Sequence, residues 1–165
     1  MADDVLDQLI HQHAEVSEWA HVLEQSTRAF VEAGGALDVD GAERFFRDNV
    51  HDHFLYEETR IFPAILSTKP DQAVCALIEQ LRAEHIHLME ATGELFVDLA
   101  MAIAREASEA EWLGLADRTR GLVQVLLAHA TLEDAQLIPY LTEHREAIQA
   151  YLASHAPLGE PVLMG

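Results

Sequence analysis

A chain of 165 residues, half of them hydrophobic, is long enough for one domain with an ordinary core and too apolar for an acidic disordered segment. Ten Lys and Arg stand against 29 Asp and Glu, a formal charge of −19, which argues against nucleic acid and membrane as partners because phosphate backbones and anionic lipid are repelled. The opening Met1-Ala2-Asp3-Asp4 is acidic where a secretory signal would be basic, and Cys75 has no second thiol to pair with, so the expectation is a cytoplasmic protein in which Cys75 is a small structural hydrophobe.

Taken in order, the chain reads as helices. Leu6, Leu9, Ile10, Val16, Ala20 and Leu23 recur at helical period and predict a first helix from Val5 to about Ala33, ended by Gly34-Gly35. After a loop over 36–41, Asp40 with Glu43 forms a capping box for a second helix. That helix carries Phe45, Phe46, Val50, His53, Glu57 and Ile61 on one face, and Pro63 disturbs its last turns. A turn from Ser67 to Asp71 leads to a third helix from about Asp71 to Ala104, striped by Val74, Leu77, Ile78, Leu81, Leu88, Leu95 and Leu99. Ser108 and Glu111 form a second capping box, and Trp112, Leu115, Leu122, Val123 and Leu126 carry a fourth helix to Pro139. A shorter helix from about Thr142 to Ser154 follows, and His155 to Gly165, with two prolines and two glycines, reads as loop. No alternating pattern suggests a strand. The expected fold is all-α: an antiparallel up-down-up-down four-helix bundle with a short extra C-terminal helix, one domain over 1–154 and a tail over 155–165.

One spelling occurs twice. His53-Phe54-Leu55-Tyr56-Glu57-Glu58 returns 76 residues on as His129-Ala130-Thr131-Leu132-Glu133-Asp134, each copy running into an aliphatic residue or two and a proline, Pro63 or Pro139. Residues four apart share a helix face, so each copy aims an imidazole and a carboxylate at one spot. At about 100° per residue, His13 falls in the middle of the first stripe and His85 lies between Leu81 and Leu88. His53 and Glu57 lie on the second stripe, and Glu133 lies near Leu126 and Leu137 with His129 toward one edge. His11 and His87 point away, as do His51 and Glu58, and His21 sits near the edge. Helices one and three therefore each give one histidine, and helices two and four each give His-x-x-x-Glu. Two related hairpins joined head to tail would set the six groups around a pseudo-twofold axis.

A lone histidine on an apolar face is ordinarily a hydrogen-bonded core residue. A buried carboxylate is different, since leaving it unpaired costs several kcal/mol or forces it to take up a proton. Four histidines and two glutamates in matched order on core faces predict a metal site made of His13, His53, Glu57, His85, His129 and Glu133. Imidazole and carboxylate without thiolate suit iron, manganese or zinc, and six ligands suit two metals, each with two histidines and with Glu57 and Glu133 bridging.

Across roughly residues 5–145 the chain resembles the hemerythrin-like HHE cation-binding domains. The matching elements are Gln12-His13, His53 to Glu58 with Phe62-Pro63, Glu84-His85, and His129-x-x-x-Glu133 with Ile138-Pro139. The resemblance implies a bundle around a non-haem di-iron centre. Respiratory members have a further histidine where this chain has Met89, and place their last carboxylate where it has Asp134. Four histidines instead of five leave more open coordination, which favours redox chemistry or sensing over storage of intact O2.

Three functions stand open at this point. The first is a di-iron protein that binds or senses O2, NO or peroxide, or handles iron. The second is a di-iron redox enzyme that decomposes peroxide or repairs iron centres, although no dedicated general acid or substrate pocket is legible. The third is an interaction bundle with a structural metal. Tyr56, Tyr140 and Trp19 read as bundle aromatics that are also placed to line a pocket, and the chain beyond Leu141 as a bundle cap or a homodimer contact.

Overall fold

The computed structural model describes residues 5–33, 43–44 and 46–155. Among them every regular element is helical and no strand occurs. The Gly34-Gly35 stop, the 36–41 loop, the Asp40 cap, Phe45, residues 156–165 and the side chains of Leu6 and Trp19 lie outside the described residues.

Helix α1 spans Val5–Ala33. Helix α2 is a continuous run over 46–67 in four pieces, with π-turns at Phe46–His51 and Glu57–Ile61 and α-helix at Asp52–Tyr56 and Phe62–Ser67. Helix α3 spans Gln72–Ala104 and starts where the Asp71 carboxylate accepts the Val74 amide at 3.0 Å. Helix α4 covers 109–143, built from Glu109–Leu132, a π-turn at Glu133–Leu137 and a last α-helical piece at Ile138–Glu143. Ser108 and Glu111 close the predicted capping box at its start. Lys69 and Glu106 take positive φ where α2 and α3 end, the left-handed turn that terminates many helices. Helix α5, Arg145–Ser154, begins three residues later than the periodicity suggested.

Neither proline stops its helix. An α-helical Pro63 would clash with the carbonyl four residues back and leave it without a donor. Instead the helix widens one turn earlier, with the Phe62 amide reaching the Glu57 carbonyl five residues back, and the Ile138 amide reaching Glu133 ahead of Pro139.

The widening also sets the face. His53, Glu57, Ile61 and Ile65 are spaced by four, as are His129, Glu133, Leu137 and Leu141, and all eight are buried. On a regular helix each four-residue step drifts by about 40°, so the last residue would leave the stripe. A turn containing one more residue brings it back.

Two apolar clusters result. One joins Val16, Ala20 and Leu23 to Phe46, Val50, Phe54, Leu88, Leu95, Leu122 and Leu126. The other joins Leu9 to Ile61, Ile65, Leu77, Leu81, Leu137 and Leu141, and takes in Ile148 and Leu152 of α5. Arg60 ties α5 down further by donating to the carbonyls of Leu152 and His155. Ile10, predicted in the first stripe, is 47 % exposed instead. Each long helix places an inward polar residue between its contributions to the two clusters: His13 between Leu9 and Val16, Glu57 between Phe54 and Ile61, His85 between Leu81 and Leu88, and Glu133 between Leu126 and Leu137.

Candidate metal centre

Between the two clusters the core contains a polar layer. His13, His53, Glu57, His85, His129 and Glu133 are all at most 4 % exposed. The Nε2 atoms point at the carboxylates: His13 lies 3.2 Å from Glu133 and 4.0 Å from Glu57, and His53 lies 3.6 Å from Glu57. On the other side His85 lies 3.3 Å from Glu57 and 3.9 Å from Glu133, and His129 lies 3.2 Å from Glu133. The six groups fall into two sets of four, His13, His53, Glu57, Glu133 and Glu57, His85, His129, Glu133, in each of which the donor atoms lie within 4.8 Å of one another. Both glutamates belong to both sets.

The outer nitrogens tell why the rings face this way. His13 Nδ1 lies 2.8 Å from an Asp134 carboxylate oxygen, His85 Nδ1 3.0 Å from Glu58, and His129 Nδ1 2.8 Å from Glu84. His53 Nδ1 lies 3.1 Å from the Gln12 amide oxygen. Each of these acceptors takes a proton, so all four imidazoles carry hydrogen on Nδ1 and turn the Nε2 atom inward. The supports form a ring: Gln12 on α1 holds α2's His53, Glu58 on α2 holds α3's His85, Glu84 on α3 holds α4's His129, and Asp134 on α4 holds α1's His13. Phe54 lies flat on His85, with ring centres 4.1 Å apart, and Phe62 lies parallel to it at 5.7 Å.

Inside the ring the polar groups are not satisfied by the protein. His13 Nε2 and all four oxygens of Glu57 and Glu133 have no hydrogen bond, although imidazole Nε2 atoms lie 3.2 Å from Glu133. Protons partly take up the strain. Burial and the neighbouring Glu133 push the Glu57 carboxyl up to about 7. Burial acts the same way on Glu133, but His129 and His85 outweigh it and hold that carboxyl below the usual range. Burial lowers His85, yet its contacts with Glu133, Glu57 and Glu58 raise it to about 9. Burial with His13 close by drops His53 to about 3. The Nε2 atoms of His85 and His129 lie 3.1 Å apart, two ring nitrogens aimed at the same space. A cation would satisfy the same atoms without protonating them, so the residues present fit a metal ion.

All six residues singled out by periodicity are brought together, and His129, expected toward an edge, is 3 % exposed. His11 and His87 are exposed as expected. Glu133 faces inward, while Asp134, with its side chain 58 % exposed, supports His13 from outside. Tyr140 hydrogen-bonds Thr68 and stacks on His144, away from the layer, whereas Tyr56 lines a depression beside Gln12 and His53. Met89 lines a depression that reaches His85. Sequence periodicity gave no partner for the outer nitrogens. The available signal was adjacency, since Gln12, Glu58, Glu84 and Asp134 each neighbour an inward-facing residue.

The hemerythrin HHE cation binding domain model matches residues 4–141. Neither the comparison with curated proteins nor that with solved structures gives a match. With the match covering most of its length, the chain belongs to the hemerythrin HHE cation-binding domain family.

Proposed function

We propose that this protein holds two iron ions, one between His13 and His53 and one between His85 and His129, with Glu57 and Glu133 shared by both, and that it binds or senses a small ligand such as O2 or NO. One observation carries the reading: four inward Nε2 atoms and four carboxylate oxygens converge, and none of those oxygens has a hydrogen-bond partner. The donor set, imidazole and carboxylate without thiolate, suits iron ahead of a structural zinc. Iron bound there would supply open coordination positions and reversible one-electron chemistry. The chain does the rest: it fixes the imidazole tautomers through the outer ring, neutralises charge with two shared glutamates, and keeps bulk water out with Phe54 and Phe62. A small ligand has an approach in the depression that reaches His85, where Phe54, Leu55, Ile86 and Met89 stand beside the charged Glu58, Arg82 and Glu90.

The alternation of the apolar clusters supports the up-down-up-down topology, because one cluster takes the starts of α1 and α3 with the ends of α2 and α4. Burial of Ile148 and Leu152 supports counting α5 within one domain over 1–154, although the family match ends at residue 141. Anaerobic Fe(II) loading of the apoprotein followed by NO titration tests the function. The proposal expects new visible absorption and an NO adduct that saturates in proportion to iron. An iron-loaded protein with no response to NO or air would remove the ligand-binding function and leave a structural metal.

A further inference from the structure

The four outer supports are not equivalent. Under the pseudo-twofold relation His13 corresponds to His85 and His53 to His129, so Asp134 stands opposite Glu58 and Gln12 opposite Glu84. Three supports are carboxylates and the fourth is a neutral amide. The Gln12–His53 contact is also the longest of the four, 3.1 Å against 2.8 Å at Glu84–His129. A carboxylate accepting from Nδ1–H makes the opposite nitrogen a stronger donor to a metal, and an amide does so less.

Anchoring differs in the same sense. Glu84 is fixed by the Gln80 amide at 2.8 Å and Glu58 by Arg82 at 3.0 Å, and their side chains are 30 % and 31 % exposed. Arg82 offsets part of the Glu58 charge, but it bonds Oε2 and leaves Oε1 for His85. On the other side Asp134 is 58 % exposed. Gln12 and His53 line a depression of about 250 Å³ together with Glu15, Asp48 and Asp52, whereas the depression that reaches His85 carries Arg82 beside Glu58 and Glu90, so of the two it is the Gln12 side that has no guanidinium among its lining residues.

From these differences, and resting on the two-ion reading above, we infer that the His13–His53 position is the weaker of the two, and that Gln12 is the positioning residue that makes it so. A chain carrying a single ion holds it on His85 and His129. The acidic depression beside Gln12 gives the weaker position a route for exchange.

Anaerobic titration of the full-length apoprotein with Co(II), followed by visible absorption and calorimetry, tests this. Two ions so close repel each other and would separate the steps even in a symmetric site, so the order of filling decides. His53→Ala should remove the weaker step and keep the tight one, and His129→Ala should do the reverse. Gln12→Glu should strengthen the weaker step by about tenfold or more, and Glu84→Gln should weaken the tight one by a similar factor. Wild-type protein given one equivalent of Zn(II) needs no variant: in imidazole NMR spectra, the His85 and His129 signals should shift first. Equal shifts at all four histidines, first filling at His13 and His53, or a Gln12→Glu titration identical to wild type would overturn the inference while leaving the two-ion centre standing. Failure of the wild type to bind Co(II) at all would overturn both.

Discussion

At the scale of single residues, Glu57 is the side chain least comfortable without a cation. It is fully buried, has no hydrogen bond on either oxygen, and faces a second carboxylate. Glu57→Gln should therefore raise the stability of the metal-free protein by about 1–3 kcal/mol while abolishing stabilisation by added metal. Thermal melts of both forms check this. A Gln variant less stable than wild type when metal-free would make Glu57 an ordinary structural residue.

Protons give a second residue-scale expectation. Glu57 is raised from 4.5 to about 7 and His85 from 6.5 to about 9, so the folded apoprotein holds protons that the unfolded chain releases. The stability they contribute is complete below their unfolded values and is lost as pH rises through about 7 and then about 9. His53, lowered to about 3, works the other way and costs stability as pH falls below 6.5. The melting temperature of the apoprotein should thus fall between pH 7 and 9, and the metal-loaded protein should lose much less, because ions replace those protons. Parallel curves for the two forms would contradict the account.

At the scale of elements, the π-turns explain how much of the site was legible. Helical period alone picked out the six inward residues, because each sits within an apolar stripe that the core demands. It placed His129 at an edge because a regular 3.6-residue helix lets a spacing of four drift, and it had no means of seeing the turn that cancels the drift. Pro63 and Pro139 were the visible signs, read as disturbances near helix ends when they mark widened turns within continuous helices. The outer supports were not legible for a different reason: they bridge between helices, and spacing within one helix says nothing about which neighbour a side chain will meet.

Caps lie far from this chemistry and should behave so. Ser108→Ala should cost about 1 kcal/mol and about 2–4 °C in melting temperature with metal stoichiometry unchanged. A loss of bound metal in that variant would show that the centre depends on marginal stability of the whole bundle.

At the scale of the molecule, two apolar clusters on either side of the polar layer give the fold a core that does not need an ion to close it. The apoprotein should accordingly remain helical by circular dichroism after chelation, with a lower melting temperature, unlike small domains that fold only around their metal. A formal charge of −19 also opposes compaction, so raising salt should stabilise the apoprotein by screening that repulsion. Of the described residues, no helix is long and apolar enough to cross a membrane.

The central claim is that Glu57 and Glu133 are shared by two ions. Metal analysis of protein purified without affinity-tag metal, with optical spectra taken anaerobically and after admitting air, tests it most directly. The account predicts about two irons per chain, new near-ultraviolet bands on oxidation, and loss of both ions in Glu133→Gln. One tightly held zinc per chain, or an intact fold that takes up no iron and shows no spectral change, would contradict it.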